Sequence, residues 1–225
     1  MHMHKWAFVT AHIFVLACSS DQEPVAPPSE SSDALRALSV EFEGRGAVEL
    51  AGDTGAMDLA GRLYAAHCSS CHGANGAPER GVPSLQSGGL SYGSDIDTIR
   101  QTIVAGRHST MPALGGQLGE VDIGQLVAYV QTLSDADELN DFESRGAELY
   151  EQHCIACHAE DGSGIAAVGG ADLRDDVWQH GDSMMNIRLV VTRGIESSCP
   201  AWGDVLTAVE IELLTAHVAA QASMP

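Results

Sequence analysis

A ten-residue run that occurs twice constrains this chain more than any other feature. Leu63-Tyr64-Ala65-Ala66-His67-Cys68-Ser69-Ser70-Cys71-His72 returns as Leu149-Tyr150-Glu151-Gln152-His153-Cys154-Ile155-Ala156-Cys157-His158. Further on, Met111-Pro112-Ala113 aligns with Cys199-Pro200-Ala201, the second copy carrying two extra residues between these landmarks. Self-similarity of this kind means two related units, each built around the same motif. With 225 residues there is room for two small domains. The acidic stretch Ser134 to Asn140 marks the boundary between them, giving residues 54–135 and 136–225.

Four of the six cysteines lie in the two C-x-x-C-H motifs, the signature of c-type haem attachment. Cys68 and Cys71, and again Cys154 and Cys157, are spaced to form thioethers to the two vinyl groups of a porphyrin. The adjacent His72 or His158 then reaches the iron. Zinc binding and a thioredoxin-like dithiol are the competing readings of one such motif. Two copies, each followed by histidine and preceded by an export signal, favour two covalently bound haems over both.

That export signal starts with Lys5, followed by an apolar run from Trp6 to Ala17 that is too short to span a bilayer. Val15-Leu16-Ala17-Cys18 resembles a bacterial lipobox, in which the cysteine becomes the lipidated first residue; an ordinary cleaved signal is the alternative. Residues 1–18 therefore predict a signal peptide and lipidation at Cys18. Such a chain is exported and held on the periplasmic side of a bacterial membrane by a lipid rather than by a spanning helix. Ser, Pro, Glu and Asp dominate next, so residues 19–53 predict a flexible tether with no core, although Leu35, Leu38, Val40 and Phe42 could close a short helix onto a domain.

Each repeat reads as three helices with no convincing strand, an all-α fold. In the first, Asp58 to His67 leads into the motif; Ser94 opens a helix with Ile96, Ile99 and Ile103 on one face and Gly106 at its end. A third runs from Glu120 to Leu133 and buries Ile123, Leu126, Val127 and Val130. The second repeat follows suit with Ser144 to His153, Asp182 to Arg193 closed by Gly194, and a helix after Thr207, where Glu210 completes a capping box. Aromatics make up only 5% of the chain, so short helices and Gly-rich loops leave each unit dependent on a ligand at its centre.

From about residue 54 to 222 the sequence resembles the class I cytochrome c family. The resemblance implies that His72 and Met111 bind opposite faces of the first iron, Met111-Pro112 being the family's usual context. It also implies that the carbonyl of Pro83 accepts the other ring N–H of His72, with Ala171 as the counterpart for His158. The second repeat is more specifically similar to the dihaem subunit of cytochrome cbb-type oxidases. Cys157-His158-Ala159-Glu160-Asp161-Gly162, Gly170 to Asp176 with Trp178, and Pro200-Ala201-Trp202-Gly203 carry that similarity. Two features depart from it: no transmembrane helix follows the signal, and Cys199 replaces the methionine before Pro-Ala-Trp.

As a thiolate on the second iron, opposite His158, Cys199 would favour the ferric state and lower the potential of that haem. Such ligation resembles that of sulfur-oxidising dihaem proteins, including thiosulfate dehydrogenases. A free thiol, an intermolecular disulfide, or ligation by His180, Met184, Met185 or His217 are the competing readings. Met184 and Met185 are expected in the core, and His217 at the surface or haem edge. Tyr64, Tyr150, Trp178 and Trp202 read as packing on porphyrin, and Arg107 and Arg193 as propionate partners or solvated side chains.

Acidic residues outnumber basic ones 31 to 11, which excludes nucleic acid as a partner. The excess is 16 to 4 over residues 136–225, suggesting a basic redox protein as the docking partner. The expected function is one-electron transfer between periplasmic or membrane redox partners by a dihaem cytochrome c. A sulfur-compound dehydrogenase acting through Cys199 and a haem subunit of a terminal oxidase are the alternatives.

Overall fold

The computed structural model describes residues 31–77, 81–134 and 145–223. Cys18, the signal segment and most of the expected boundary lie outside the described residues. The described chain is helical apart from one short two-stranded ribbon.

Residues 32–50, expected as a tether, fold. Helix α1 (Ser32–Ser39) is capped by Ser31 Oγ, which accepts from the Ala34 N–H at 3.3 Å, and runs into a single 3-10 turn at Val40–Phe42. A one-turn helix α2 (Ala47–Leu50) follows. Leu35, Phe42, Ala47 and Leu50 are buried in a core shared with later helices, while Leu38 and Val40 are exposed. Gly44 and Gly46 lie before α2 and Gly52 after it, so they shape the connections without breaking a helix.

Helix α3 (Thr54–His67) starts four residues before the expected position. The Asp53 carboxylate caps it by accepting from the Gly55 and Ala56 N–H groups at 2.9 and 3.1 Å. The one-turn α4 (Ser69–His72) carries the first motif. Helix α5 (Ile96–Ala105) is capped by Asp95, one residue beyond the expected Ser94, and ends at Gly106 as expected. Next come strand β1 (Arg107–Met111) and α6 (Glu120–Thr132), which buries the four predicted residues.

The second repeat gives α7 (Arg145–His153), α8 (Ile155–His158) with the second motif, and α9 (Met184–Arg193), capped by Ser183. Strand β2 (Ile195–Cys199) and α10 (Ala208–Ala222) complete the chain. The capping box at the start of α10 is present: Glu210 Oε2 accepts the Thr207 N–H at 2.7 Å, and Thr207 Oγ1 accepts the Glu210 N–H.

Strands β1 and β2 pair antiparallel, Arg107 opposite Cys199 and Met111 opposite Ile195. No strand was expected. The ribbon marks where the two repeats cross over. Helix α10, from the second repeat, packs on α3 and α5 of the first and on α2 ahead of it; α6, from the first repeat, packs on α7 and α9 of the second. One core accordingly joins Leu35, Leu59, Leu63, Tyr64 and Ile99 to Leu213, Leu214 and Val218. The other joins Ile123, Leu126 and Val127 to Leu149, Tyr150, Ile187 and Val191. Each lobe thus takes its terminal helix from the other repeat, where the sequence suggested two self-contained repeats. Among the described residues no helix is long and apolar enough to cross a membrane.

Candidate haem sites

The two motifs have the same local geometry because the same backbone bonds build them. After α3, Cys68 closes the helix by donating its N–H to the Tyr64 carbonyl at 2.8 Å; the N–H groups of Cys71 and His72 then return to the Cys68 carbonyl at 3.1 and 2.9 Å. Cys154, Cys157 and His158 repeat these bonds at the same distances. Two cysteines and a histidine therefore project from one turn in each lobe. The thiols are free rather than joined in disulfides. Burial, followed by the nearby Cys199 and Cys71, pushes the Cys68 thiol up to about 12; burial and then Cys157 push Cys154 up to about 11. Among the described residues no three His, Cys, Asp or Glu side chains converge to hold a metal by themselves.

The histidines are oriented as an iron ligand must be. His72 Nδ1 donates to the Pro83 carbonyl at 3.1 Å, and His158 Nδ1 to the Ala171 carbonyl at 2.9 Å. A carbonyl can only accept, so each bond fixes the proton on Nδ1 and leaves the Nε2 lone pair for a metal. Burial lowers the pKa of His72, which keeps the ring neutral as coordination requires, although its bond to Pro83 acts in the opposite direction. Tyr64 Oη donates to the Gly73 carbonyl at 2.8 Å and Tyr150 Oη to the Ala159 carbonyl at 2.9 Å, tying down the residue after each histidine. These tyrosines were expected only as packing. Their recurrence eight positions before each histidine was the available sequence signal. The donor sets thus fit c-type haem: two unpaired thiols and one oriented imidazole on a single turn.

The distal segments are exchanged with the helices. Past Cys199, the Trp202 and Gly203 N–H groups donate to the Ile103 and Val104 carbonyls of α5, both at 3.0 Å. In the mirror-image arrangement Leu114 and Gly115 donate to Val191 and Thr192 of α9, at 2.9 and 3.1 Å. The crossing point admits no side chain. At Gly106, which has φ +67°, a Cβ would lie 2.5 Å from the Cys199 carbonyl oxygen; at Gly194, φ +71°, it would lie 2.5 Å from that of Met111. Trp202 packs on the first core with Cys68, its ring 5.4 Å from that of His67. Met111 packs on the second core, as do Cys154, Ile155 and Trp178. The structure therefore brings Cys199 to the Cys68–His72 lobe and Met111 to the Cys154–His158 lobe, the reverse of the expected pairing within each repeat.

The other candidate ligands fall elsewhere. Met184 and Met185, expected in the core, are 53% and 72% exposed because α9 turns its first residues outward beside Gly124. His217 is half-buried against Tyr64, its ring centroid 4.8 Å from the phenol and its Nε2 3.2 Å from Gln221 Nε2. His180 Nε2 is buried without a hydrogen-bond partner, and burial lowers its pKa. Arg107 donates to Thr102 Oγ1 at 2.9 Å and lies 4.5 Å from the ring centroid of Tyr92. Arg193 is exposed.

A family model described as cytochrome c oxidase, cbb3-type, subunit III matches residues 55–130 and again 142–218. Among curated relatives, the cbb3-type cytochrome c oxidase subunit CcoP of Rubrivivax gelatinosus is 33% identical over 80% of this chain and 60% of its own length. The corresponding FixP subunit of Azorhizobium caulinodans is 33% identical over 69% of this chain and 56% of its own. CcoP of Cereibacter sphaeroides is 30% identical over 72% and 60%. The chain spans about six-tenths of the length of these relatives.

Proposed function

The chain belongs to the family of cbb3-type cytochrome c oxidase subunit III, with two c-type haems as cofactors, and from that premise we propose that it is a haem-carrying electron-transfer subunit of a terminal oxidase complex. The observation that carries this reading is the pair of motif turns, each with a histidine held Nε2-outward by a backbone carbonyl. Cys68 with Cys71, and Cys154 with Cys157, would form the thioethers. His72 and His158 would be the proximal iron ligands, and Met111 and Cys199 the distal ones.

Haem supplies a one-electron ferric–ferrous couple when bound. The protein's part is to hold the ligands still while charge moves. Covalent attachment on a single helical turn limits motion of the motif side, and the bonds from Nδ1 to Pro83 and Ala171 prevent ring rotation. Tyr64 and Tyr150 tie the chain just after each histidine. The apolar cores around Leu63 and Leu149 keep water from the interior side of each site. Filled axial positions on rigid elements suit electron transfer rather than substrate binding.

The acidic surface fits a basic redox partner on the periplasmic side of a membrane. Of the acidic residues in the second repeat, Glu210 and Glu212 are diverted into the first lobe, where Glu210 is buried in its cap and Glu212 pairs with Arg100. Affinity purification of the full-length chain from its native membranes tests the assignment. Co-purification of a haem-copper oxidase, with oxygen consumption from a reduced c-type donor lost on deletion of this chain, is the expected result. A chain that purifies alone, and whose deletion leaves oxygen consumption unchanged, refutes it.

A further inference from the structure

We propose that the outward face of α6 and the first turn of α9 form a docking site for a helix of another subunit of the oxidase complex, one that is apolar on the face it presents and basic along its flanks. The proposal rests on the oxidase-subunit reading above and adds the surface by which this chain is held.

The two lobes differ in what lies over the terminal helix. Counted from Gly106 and Gly194, Val121, Gln125 and Ala128 of α6 hold the places of Val209, Leu213 and Ala216 of α10. Positions spaced by four and three residues share one face of a helix. In the first lobe that face is covered. Helix α2 packs on α10, the Ala47 N–H donates to Glu212 Oε2 at 2.8 Å, and Leu35, Phe42, Ala47 and Leu50 join Val209, Leu213 and Ala216 in one core. Val209 is 7% exposed as a result. In the second lobe, among the described residues, α6 packs on α7 and α9, and its outward face is bare: Val121 is 75% exposed, and Gln125 and Ala128 are exposed with it.

Helix α9 extends the bare face. Met184 and Met185 stand where Ile96 and Asp97 stand in α5; Ile96 is partly buried against the first core, whereas both methionines are exposed. Because Gly124 takes the place of Glu212, a groove of about 100 Å³ opens between α6 and α9, lined by Gly124, Val127, Met184, Met185 and Arg188. Unbranched methionine side chains adapt to an incoming apolar surface, and Met and Arg are enriched at protein–protein contacts. An apolar strip rimmed by charges is the form such a contact takes before it is filled.

The rim selects the partner. Arg188 reaches Glu120, while Asp122 and Glu148 share Arg145, and Asp182 lies just ahead of Met184. Four carboxylates thus stand against two guanidiniums, in a chain of net charge -20. A second copy would bring the same acids to the contact. Residues 135–144 of this chain are also acidic, with five carboxylates and no basic side chain. A partner helix with an apolar residue over Gly124 and lysine or arginine toward Glu120 and Glu148 matches both the groove and its charge.

The test compares the full-length, haem-loaded chain expressed alone with the same chain in its native membranes. Met185→Glu puts a carboxylate on the face. Gly124→Glu fills the groove with the first lobe's residue, beside Arg188, whose Nη1 lies 3.5 Å from where the new Cβ would stand. Expressed alone, both variants should keep the wild-type urea midpoint and the mass of a monomer in light scattering, because the face is open. In membranes each should retain about tenfold less haem-copper oxidase on affinity purification, since the new carboxylate is buried unpaired in the contact. Undiminished retention in both overturns the site. A wild-type dimer that either variant dissociates gives the face to a second copy, and a lowered urea midpoint in Met185→Glu gives it to a segment of this chain; each overturns the partner subunit. Glu148→Lys should also lower retention, more at low salt than at high, and retention unchanged at every salt concentration overturns the basic flank. A wild-type chain that retains no oxidase refutes the subunit reading itself, and is told apart from a misplaced face by the wild-type sample alone.

Discussion

The salt bridge between Arg100 and Glu212 is a direct energetic probe of the crossed packing. Arg100 projects from α5 and Glu212 from α10, so the pair joins the two repeats. The guanidinium meets both carboxylate oxygens, Nε to Oε1 at 2.6 Å and Nη2 to Oε2 at 3.0 Å, with the side chains 31% and 22% exposed. Exposed ion pairs couple by about 0.2–1 kcal/mol, and hydrogen bonds to charged groups contribute about 1.5–3 kcal/mol. A half-buried bidentate pair should therefore couple by about 1–2 kcal/mol. Each residue has a further partner: Glu212 Oε2 accepts the Ala47 N–H, and Arg100 bonds Asp97. These make the single replacements unequal but cancel in the cycle. In the second lobe Arg188 holds the position of Arg100 and reaches Glu120 on α6, with Gly124 at the place of Glu212. If each terminal helix packed within its own repeat, Arg100 would face Gly124 and have nothing to couple with at Glu212. Urea denaturation of fully haem-loaded wild type, Arg100→Ala, Glu212→Ala and the double variant, followed by circular dichroism, measures the coupling. A value below about 0.3–0.5 kcal/mol, the usual additivity error, would refute the crossed arrangement.

Other consequences are accessible with the same preparation. Ala159 occupies φ 63° and ψ 167°, a region costing about 1–3 kcal/mol for a residue with a Cβ, whereas its counterpart is Gly73. Ala159→Gly should therefore raise stability by about 1 kcal/mol after the entropy cost of glycine in the unfolded chain, and an unchanged urea midpoint would contradict this. The Arg100 guanidinium holds the Glu212 carboxyl below its ordinary 4.5. The stability this provides is complete above that value and is lost as pH falls through the folded-state pKa. Glu212→Gln should thus lower stability at pH 7 and flatten its decline below pH 4.5; parallel curves would count against the assignment. Stopped-flow reduction by a basic cytochrome should slow steeply with added salt, and rates indifferent to ionic strength would remove the acidic docking surface. Steady-state turnover with thiosulfate or sulfite should be absent, and measurable turnover would restore the dehydrogenase reading.

What the sequence determined by itself is local. The spacing in C-x-x-C-H, the histidine beside it and the caps at Thr207 and Gly106 act within a few residues, through bonds any such stretch would make, so they could be read without neighbours. Helix positions followed from apolar periodicity, to within a residue at Asp95 and four at Thr54. The folding of residues 32–50 was harder to see, because Leu35, Phe42 and Leu50 form no sustained period and become ordered only against α3 and α10. Which terminal helix covers which motif was decided by tertiary structure alone. The two repeats present equivalent surfaces: Tyr64 receives His217 where Tyr150 receives Tyr129, and Ile103 receives Trp202 where Val191 receives Leu114. Apolar patterning specifies that a helix must be covered but not by which of two similar partners. That choice is made by the path of the chain through Gly106 and Gly194, where only backbone can pass, and by pairs such as Arg100 and Glu212 that exist in one arrangement and not in the other.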